Sequence, residues 1–250
     1  MEAKKIEKEY TQKFFLVAGD CNPEKELPLT LLVNRVIEIA TVHANSWGIG
    51  YDALIKNNHA WVLSRVAVEM KRYPKVNEEY SLTTWIESYN RHFSKRNMEI
   101  ADANGKTIGY VRTVWMIIDL ASRGAADIER YGSLSDYVSE RECPIAEISR
   151  LRLSADARKA GEYVFKYADC DVNRHVNTVR YVELLLNQFS LGQFDQNYVE
   201  RFEVAFNKET HYGCKADVMI EGDEAKDCKV GVVVDGECHC CARFKFAARN

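Results

Sequence analysis

The stretch from residue 162 to residue 189 reads EYVFKYADCDVNRHVNTVRYVELLLNQF and joins a predicted strand to a predicted helix. Aromatic residues occupy alternate positions between residues 162 and 168, which is typical of a strand. Beyond the polar centre, Asn177 is suited to cap a helix, and apolar residues then recur with helical spacing. That apolar stripe comprises Val179, Val182, Leu185, Leu186 and Phe189.

The polar centre of this stretch has the composition of a reactive site. Asp171, Asn173 and His175 occupy alternate positions, and an extended chain would point all three to one side. Backbone N–H groups at the start of the helix favour a developing negative charge nearby. A carboxylate, an amide, an imidazole and such a helix end together suit hydrolysis or proton transfer. If the turn is considered without the rest of the chain, the alternative to a reactive site is an Asx-type turn with a solvated histidine.

The composition excludes several classes of function. With 250 residues, 46% of them apolar and 28% charged, the chain is expected to form one large or two small globular domains. A net charge of −3 without a basic tail argues against nucleic acid as a partner. No apolar run approaches the roughly 20 residues that cross a bilayer, and residues 1–14 lack the apolar core of a signal peptide. We therefore expect a cytoplasmic protein without a membrane span, whose eight cysteines remain thiols.

The remainder of the chain repeats one order of predicted elements. A short strand at residues 14–17 precedes a helix with Leu32, Val36, Ile39, Ala40 and His43 on one face. Strands are then predicted at residues 62–71, 80–89, 93–103 and 107–120. After the central strand and helix, the second half continues with strands at residues 199–209, 215–221, 228–234 and 238–246.

This repeat predicts an α+β fold of two tandem units, each with a long helix packed on an antiparallel sheet. The first unit is expected to span residues 1–128 and the second residues 161–250. The connector at residues 129–160 is rich in polar residues, with short helices expected at residues 134–142 and 153–161.

Three other groups of residues have plain structural interpretations. In Cys238-His239-Cys240-Cys241, alternation along a strand would put Cys238 and Cys240 on one face and the other two on the opposite face. We therefore expect buried thiols and neither a metal site nor a cofactor. His43 is expected to be a hydrogen-bonded core histidine. The basic residues of the segment 91–96 are expected to form a solvated turn.

Motifs in both halves of the chain resemble those of a known family, and the resemblance covers nearly its whole length. The first half contains His59-Ala-Trp61-Val-Leu-Ser-Arg65, Arg72-Tyr-Pro74, Thr84-Trp85 and Val114-Trp115-Met116, and the second contains Asp171-Val-Asn173-Arg-His175-Val-Asn177 followed by Tyr181. These resemble the acyl-acyl carrier protein thioesterases of the plant plastid and bacterial type. The resemblance implies a double hotdog fold, no cofactor, and hydrolysis of fatty acyl-acyl carrier protein to free fatty acid and carrier.

The resemblance also implies roles for individual residues. Asp171, Asn173 and His175 match the catalytic turn of the family, and Glu209 fills the place of its further acidic residue. Glu209 and His175 would activate water, while Asp171 would fix the site or itself attack, and Asn173 would hold the oxyanion. Thr210 stands where plant members have a cysteine, which excludes a thiolate there, although its hydroxyl could hold a water.

The first half lacks a D-x-N-x-H sequence before its helix, so we expect one active site, with the first unit lining the acyl tunnel. Arg174 and Arg180 flank the turn and are the preferred docking residues for the acidic carrier. Other candidates are Arg91, Lys95 and Arg96, or Arg150, Arg152, Arg158 and Lys159. The alternatives are a hotdog enoyl-thioester hydratase or dehydratase and a non-catalytic carrier-binding module. Chain-length preference and oligomeric state, a homodimer included, stay open.

Overall fold

The computed structural model describes residues 7–249, which contain ten strands and four helices. All ten strands belong to one sheet, and all strand pairs within it are antiparallel. In chain order the elements are β1 (Glu9–Phe15), α1 (Leu29–Ser46), α2 (Tyr51–Ile55), β2 (His59–Met70), β3 (Glu79–Tyr89), β4 (Ser94–Asp102), β5 (Thr107–Asp119), β6 (Arg158–Val164), α3 (Thr178–Leu186), α4 (Leu191–Gln196), β7 (Asn197–Phe206), β8 (Lys215–Asp223), β9 (Asp227–Val234) and β10 (Glu237–Ala248).

The two halves of the sheet mirror each other. Across the sheet the strands run β1-β3-β4-β5-β2-β7-β10-β9-β8-β6, so the second half repeats the order of the first in reverse. The halves join where β2 pairs with β7, with Arg65 opposite Ala205 and Glu69 opposite Arg201. Each half contains a strand, a principal helix and four strands, which confirms the predicted repeat of elements.

The two principal helices differ in length. The 18-residue α1 buries Leu32, Val36 and Ile39 as its apolar spacing predicts. The nine-residue α3 starts at the predicted cap, where the side chain of Asn177 accepts a hydrogen bond from the backbone N–H of Val179. The second helix is therefore not long, because the chain leaves the helix after residue 186 and Ser190 caps α4. The buried residues of α3, and those of α1 other than His43 and Ala44, belong to one core cluster with residues of the sheet.

Several predicted boundaries were wrong, most of them at the edges of the sheet. The predicted helix at residues 153–161 is absent, because β6 begins at Arg158 and pairs with β8 from there. The predicted strand at residues 162–168 ends early, since Tyr167–Asp169 form a 3-10 turn. At residues 134–142 only Ser135–Tyr137 form a 3-10 turn. The first strand covers Glu9–Phe15, not residues 14–17, because this edge strand buries no side chain fully and its apolar pattern is weak.

The cysteine-rich strand departs from simple alternation. A bulge in β10 between Cys238 and Cys240 shifts the register, so that Cys238 lies opposite Val233 while Cys240 lies opposite Val232. Cys238 therefore packs with Cys241 beside Leu151, whereas Cys240 lies in the main core. The predicted pairing of Cys238 with Cys240 on one face was wrong for this reason.

Two kinds of feature are absent from residues 7–249. Between residues 7 and 249, no three His, Cys, Asp or Glu side chains are grouped so that they could hold a metal ion. None of the helices described for these residues combines the length and the apolarity that crossing a bilayer requires.

Candidate active site

The polar turn before α3 is closed by its own hydrogen bonds. The backbone N–H of Asp171 donates to the carbonyl of His175 at 2.8 Å, and the N–H of Arg174 donates to the carbonyl of Asp171 at 3.0 Å. Oδ1 of Asp171 accepts from the backbone N–H groups of Asn173 at 2.8 Å and of His175 at 3.2 Å. Arg174 adopts a φ of 65°, in the left-handed region. The turn is therefore a tight Asx-type turn and not the extended chain expected from the sequence.

A second segment holds this turn in place and contributes the further acid. The N–H of Val176 donates to the carbonyl of Thr210 at 2.8 Å, and His175 forms an isolated antiparallel bridge with His211. This pairing brings the carboxylate of Glu209 to the imidazole, with 3.5 Å between Glu209 Oε1 and His175 Nδ1. Residues far apart in the sequence thus meet through backbone pairing between two loops.

One cavity of about 610 Å³ is lined by all four residues that the sequence singled out, Asp171, Asn173, His175 and Glu209. A second, mainly apolar cavity of about 220 Å³ adjoins it. Asn173 lines both cavities, and so do Ile37, Ala60, Trp61, Trp115 and Leu120 from the first half of the chain. The polar turn therefore lies at the lining that the two cavities share.

Arg123 is a residue of this cavity that the sequence analysis missed. Its guanidinium forms an ion pair with Glu209 across the two halves of the chain. Burial and the nearby charge of Arg123 lower the pKa of His175 below its ordinary value of 6.5, with a smaller opposing effect from Asp171. The imidazole is therefore neutral at neutral pH. No sequence signal marks Arg123, because 86 positions separate it from Glu209.

Thr210 points away from this cavity. Its side chain is only 1% exposed and does not line either cavity described above. Its hydroxyl lies 2.5 Å from the hydroxyl of Tyr181 and 2.7 Å from Nδ1 of His239. The expectation that this hydroxyl could hold a water at the site was wrong, because buried protein partners already occupy it.

The basic residues near the turn differ in their partners. Arg174 and Arg180 are both exposed, but Arg180 pairs with Glu183 at 2.5 Å. No carboxylate among residues 7–249 lies within 4.0 Å of the Arg174 guanidinium, whereas Arg91 pairs with Asp127 at 2.9 Å. Arg174 therefore presents the less compensated charge beside the turn.

The segment from Arg91 to Arg96 is not a single basic surface. Lys95 pairs with Glu147 at 3.1 Å, and Arg96 is only 5% exposed. The prediction of a solvated turn was therefore wrong for Arg96, and so was its place among the docking candidates. The residue lies within β4, whose inward-facing positions are buried, so its charge is not available to a protein partner.

The sequence and the fold of the chain match those of known proteins. The profile of the acyl-ACP thioesterase N-terminal domain matches residues 7–131, and that of the C-terminal domain matches residues 153–248. The crystal structure of an acyl-ACP thioesterase from Bacteroides thetaiotaomicron is 32% identical with a TM-score of 0.90, covering 96% of this chain and 98% of that chain. The 12:0-ACP thioesterase from Umbellularia californica shares the fold, with a TM-score of 0.86 at 18% identity over 99% of this chain and 100% of that one.

Among curated proteins, the chain is 23% identical over 257 residues to the chloroplastic palmitoyl-acyl carrier protein thioesterase of Arabidopsis thaliana. This match covers 96% of the chain but 61% of that relative, so the chain spans about three fifths of its length. The two matching domain profiles, the double hotdog architecture and the related bacterial structure lead to one conclusion. The chain belongs to the acyl-ACP thioesterase family.

Proposed function

We propose that this protein hydrolyses the thioester of a fatty acyl-acyl carrier protein, releasing the free fatty acid and the carrier and so ending chain elongation. The observation that supports it best is the single cavity lined by Asp171, Asn173, His175 and Glu209, which adjoins an apolar cavity. A site that hydrolyses a fatty acyl thioester needs both features: polar groups that activate water at the carbonyl, and an apolar space for the acyl chain.

In the proposed reaction His175 is the general base. Its lowered pKa keeps the imidazole neutral, so it can accept a proton from a water molecule as the water oxygen attacks the carbonyl carbon. Glu209, 3.5 Å from the ring, stabilises the imidazolium that forms. The tetrahedral intermediate then collapses, the carbon–sulfur bond breaks, and the carrier thiolate takes the proton back from His175.

Asp171 is assigned a positioning role. One of its carboxylate oxygens is held by two backbone N–H groups of its own turn, which fixes the position of His175. This use of the carboxylate argues against Asp171 as the nucleophile. Asn173 lies where the two cavities meet, so its amide, with the N–H groups at the start of α3, is assigned to the oxyanion.

The two units of the chain would have different roles in binding the substrate. The unit at residues 1–128, with its helix on its half of the sheet, would hold the acyl chain. The unit at residues 161–250 would provide the catalytic groups, and residues 129–160 would connect the two. The acidic carrier would approach Arg174, which has no carboxylate partner among the described residues, and Arg180 would contribute less because Glu183 partly neutralises it.

The test is incubation of the purified protein with acyl-carrier thioesters of increasing chain length. We expect free carrier thiol and free fatty acid in equal amounts, and a rate that falls with salt more steeply than the rate with an acyl-CoA of the same chain. Hydration of a crotonyl thioester, or dehydration of a 3-hydroxyacyl thioester, without release of thiol would instead indicate a hydratase or dehydratase. Tight binding of the acyl carrier without release of thiol would indicate a binding module and overturn the proposal.

A further inference from the structure

A buried arginine lies against the apolar cavity. Arg96 is 5% exposed, and it lines the apolar cavity but not the larger one that contains His175 and Glu209. Most of the neighbouring lining side chains are apolar, among them Ala40, Ala44, Ile49, Ile86 and Leu134. A cationic side chain in such surroundings needs an explanation, because burying a charge is costly unless it is paired.

The protein does not neutralise this charge. Nη1 of Arg96 donates to Nδ1 of His43 at 3.0 Å and to Oγ1 of Thr84 at 3.1 Å. No carboxylate of residues 7–249 lies within 4.0 Å of the guanidinium. Arg112 on the adjacent strand β5 is also buried, yet it pairs with Glu87 at 2.6 Å. The absence of an acidic partner is therefore particular to Arg96 and not a general property of buried arginines in this chain.

Both acceptors of Arg96 are neutral. Nε2 of His43 lies 3.1 Å from the carbonyl of Glu7 and donates to it, which leaves the lone pair of Nδ1 for Arg96. Burial and the charge of Arg96 lower the pKa of His43 to about 4, so the ring is uncharged at neutral pH. Thr84 donates its own proton to the carbonyl of Asn97 at 3.1 Å and so accepts from Arg96. The positive charge therefore has no acidic partner among residues 7–249.

A second hydrogen-bond donor lies beside the guanidinium. The ring of Trp47 is centred 5.2 Å from the guanidinium carbon of Arg96, and both side chains line the apolar cavity. Nε1 of Trp47 is buried, and no acceptor in the described part of the chain lies within hydrogen-bonding distance of it. A cationic donor and a neutral donor, with no acid between them, are suited to a ligand atom that accepts hydrogen bonds.

This arrangement bears on which acyl chains fit. A saturated chain long enough to reach Arg96 would displace water from a charged group and offer no acceptor in return, which costs free energy. A chain with an oxygen at that depth would replace the water by a hydrogen bond.

We propose that Arg96 forms a polar subsite at the side of the acyl cavity remote from the thioester. It would select acyl chains whose distal end carries a hydroxyl or carbonyl oxygen over saturated chains of equal length. Arg96 is then a specificity-determining residue. The inference rests on the proposed function, because it takes the apolar cavity as the place of the acyl chain.

The test measures binding without turnover. Free ω-hydroxy fatty acids and saturated fatty acids of matched, increasing length are titrated into the protein. At the length that reaches Arg96 we expect the ω-hydroxy acid to bind about tenfold more tightly, the effect of one hydrogen bond to a charged group. Arg96→Met should remove this preference and admit longer saturated chains. Lys95→Met is the matched control, because Lys95 lies next to Arg96 on β4 but carries an exposed charge that pairs with Glu147.

Equal affinity of the two acids at every length in the unaltered protein would overturn the inference. So would an Arg96→Met protein with an unchanged melting temperature that keeps the preference. If Arg96→Met does not fold, the affinities of the unaltered protein for the matched acids still decide whether the inference holds. Because binding is read without hydrolysis, a protein that shows the preference but releases no thiol contradicts only the proposed function, and one that releases thiol without the preference contradicts only this inference.

Discussion

The turns that precede α1 and α3 have the same backbone geometry and different side chains. In the first half, the N–H of Asn22 donates to the carbonyl of Glu26 at 3.0 Å, and the N–H of Lys25 donates to the carbonyl of Asn22 at 2.9 Å. Oδ1 of Asn22 accepts from the N–H of Glu26 at 2.7 Å, and Lys25 has a φ of 60°. Each of these contacts recurs in the second half, with Asp171, Arg174 and His175 in place of Asn22, Lys25 and Glu26.

The anchoring of the two turns matches as well. The N–H of Leu27 donates to the carbonyl of Pro74 at 2.8 Å, as that of Val176 does to Thr210. Tyr73 therefore occupies the place of Glu209. Glu26 is 8% exposed and pairs with Arg249 at 2.9 Å, while the hydroxyl of Tyr73 donates to the carbonyl of Val199 at 2.9 Å.

This comparison shows that the turn by itself is a structural element. Its hydrogen bonds place a side chain at the position of His175 whatever that side chain is, and in the first half the position holds a carboxylate used for an ion pair. In the proposed mechanism the chemistry depends on four substitutions within a repeated backbone: His175 for Glu26, Glu209 for Tyr73, Asp171 for Asn22 and Asn173 for Glu24. Mutations at matched positions can therefore test the proposed roles one by one.

The largest effect is expected at the histidine position. His175→Gln removes the proposed general base and should lower kcat by about 10³-fold, within the range for loss of such a group. Glu26→Gln at the matching position should leave kcat unchanged and lower the melting temperature, since it weakens the ion pair with Arg249. The rate of fatty acid release gives kcat for each variant, and thermal unfolding gives its melting temperature. A comparable loss of kcat in both variants would show that the turns do not differ in function.

The acidic position should give the next largest effect. Glu209→Gln keeps the volume of the side chain but cannot stabilise an imidazolium, so kcat should fall by about 10²-fold. Tyr73→Phe at the matching position removes a buried hydrogen bond and should affect stability only. Steady-state kinetics with one acyl-carrier substrate checks both variants. Full activity of Glu209→Gln would remove this residue from the proposed mechanism.

Asp171→Asn separates the effect of the carboxylate charge from the structural role of this side chain in the turn. Asn22 forms the same turn with an amide oxygen, so the variant should keep its backbone and its melting temperature. Because Asp171 raises the pKa of His175 and so favours the imidazolium, we expect kcat to fall by about tenfold. The reciprocal variant Asn22→Asp should be fully active. If Asp171→Asn retained all of its activity, Asp171 would be a turn residue and nothing more.

Arg123→Gln should move the pH profile. In the unaltered protein, burial and the charge of Arg123 hold the pKa of His175 below 6.5, so the acid limb of kcat should lie below pH 6.5. Removing the guanidinium lets the pKa rise towards its ordinary value, so His175 becomes protonated, and inactive as a base, at a higher pH. The limb should therefore shift to higher pH. It should not shift in Arg130→Gln, which alters an exposed arginine that does not line the cavity. A shift to lower pH, or none, would contradict the assignment.

Thr210→Ala should have the smallest effect on turnover. Its hydroxyl joins the side chains of Tyr181 and His239 in the interior and does not line the cavity. The variant should keep most of its kcat and lose about 1–3 kcal/mol of unfolding free energy, because buried partners are left unpaired. Steady-state kinetics measures kcat, and denaturant unfolding measures the free energy of unfolding. A trapped acyl group on Thr210, or on any of the cysteines, would contradict hydrolysis by water.

Much of the fold was predictable because its signals are local. The periodic apolar residues of α1, the cap at Asn177 and the alternating strands of each half predict elements that the structure contains. Where most side chains are exposed, as along Glu9–Phe15 and Arg158–Val164, the apolar pattern is weak and the boundaries were misplaced. A bulge such as the one at Cys238 depends on the register of neighbouring strands, so periodicity alone cannot reveal it.

The sequence by itself determined the order of elements, the repeat of two halves and the identity of the residues in the polar turn, since each depends on neighbours along the chain. Only the tertiary structure decided that Glu209 reaches His175, that Arg123 pairs with Glu209, and that Thr210 faces the core. The physical reason is that these relations arise from pairing between loops and strands distant in sequence. The same reason applies to Arg96, whose burial against His43 in the apolar cavity depends on how α1 packs over β4.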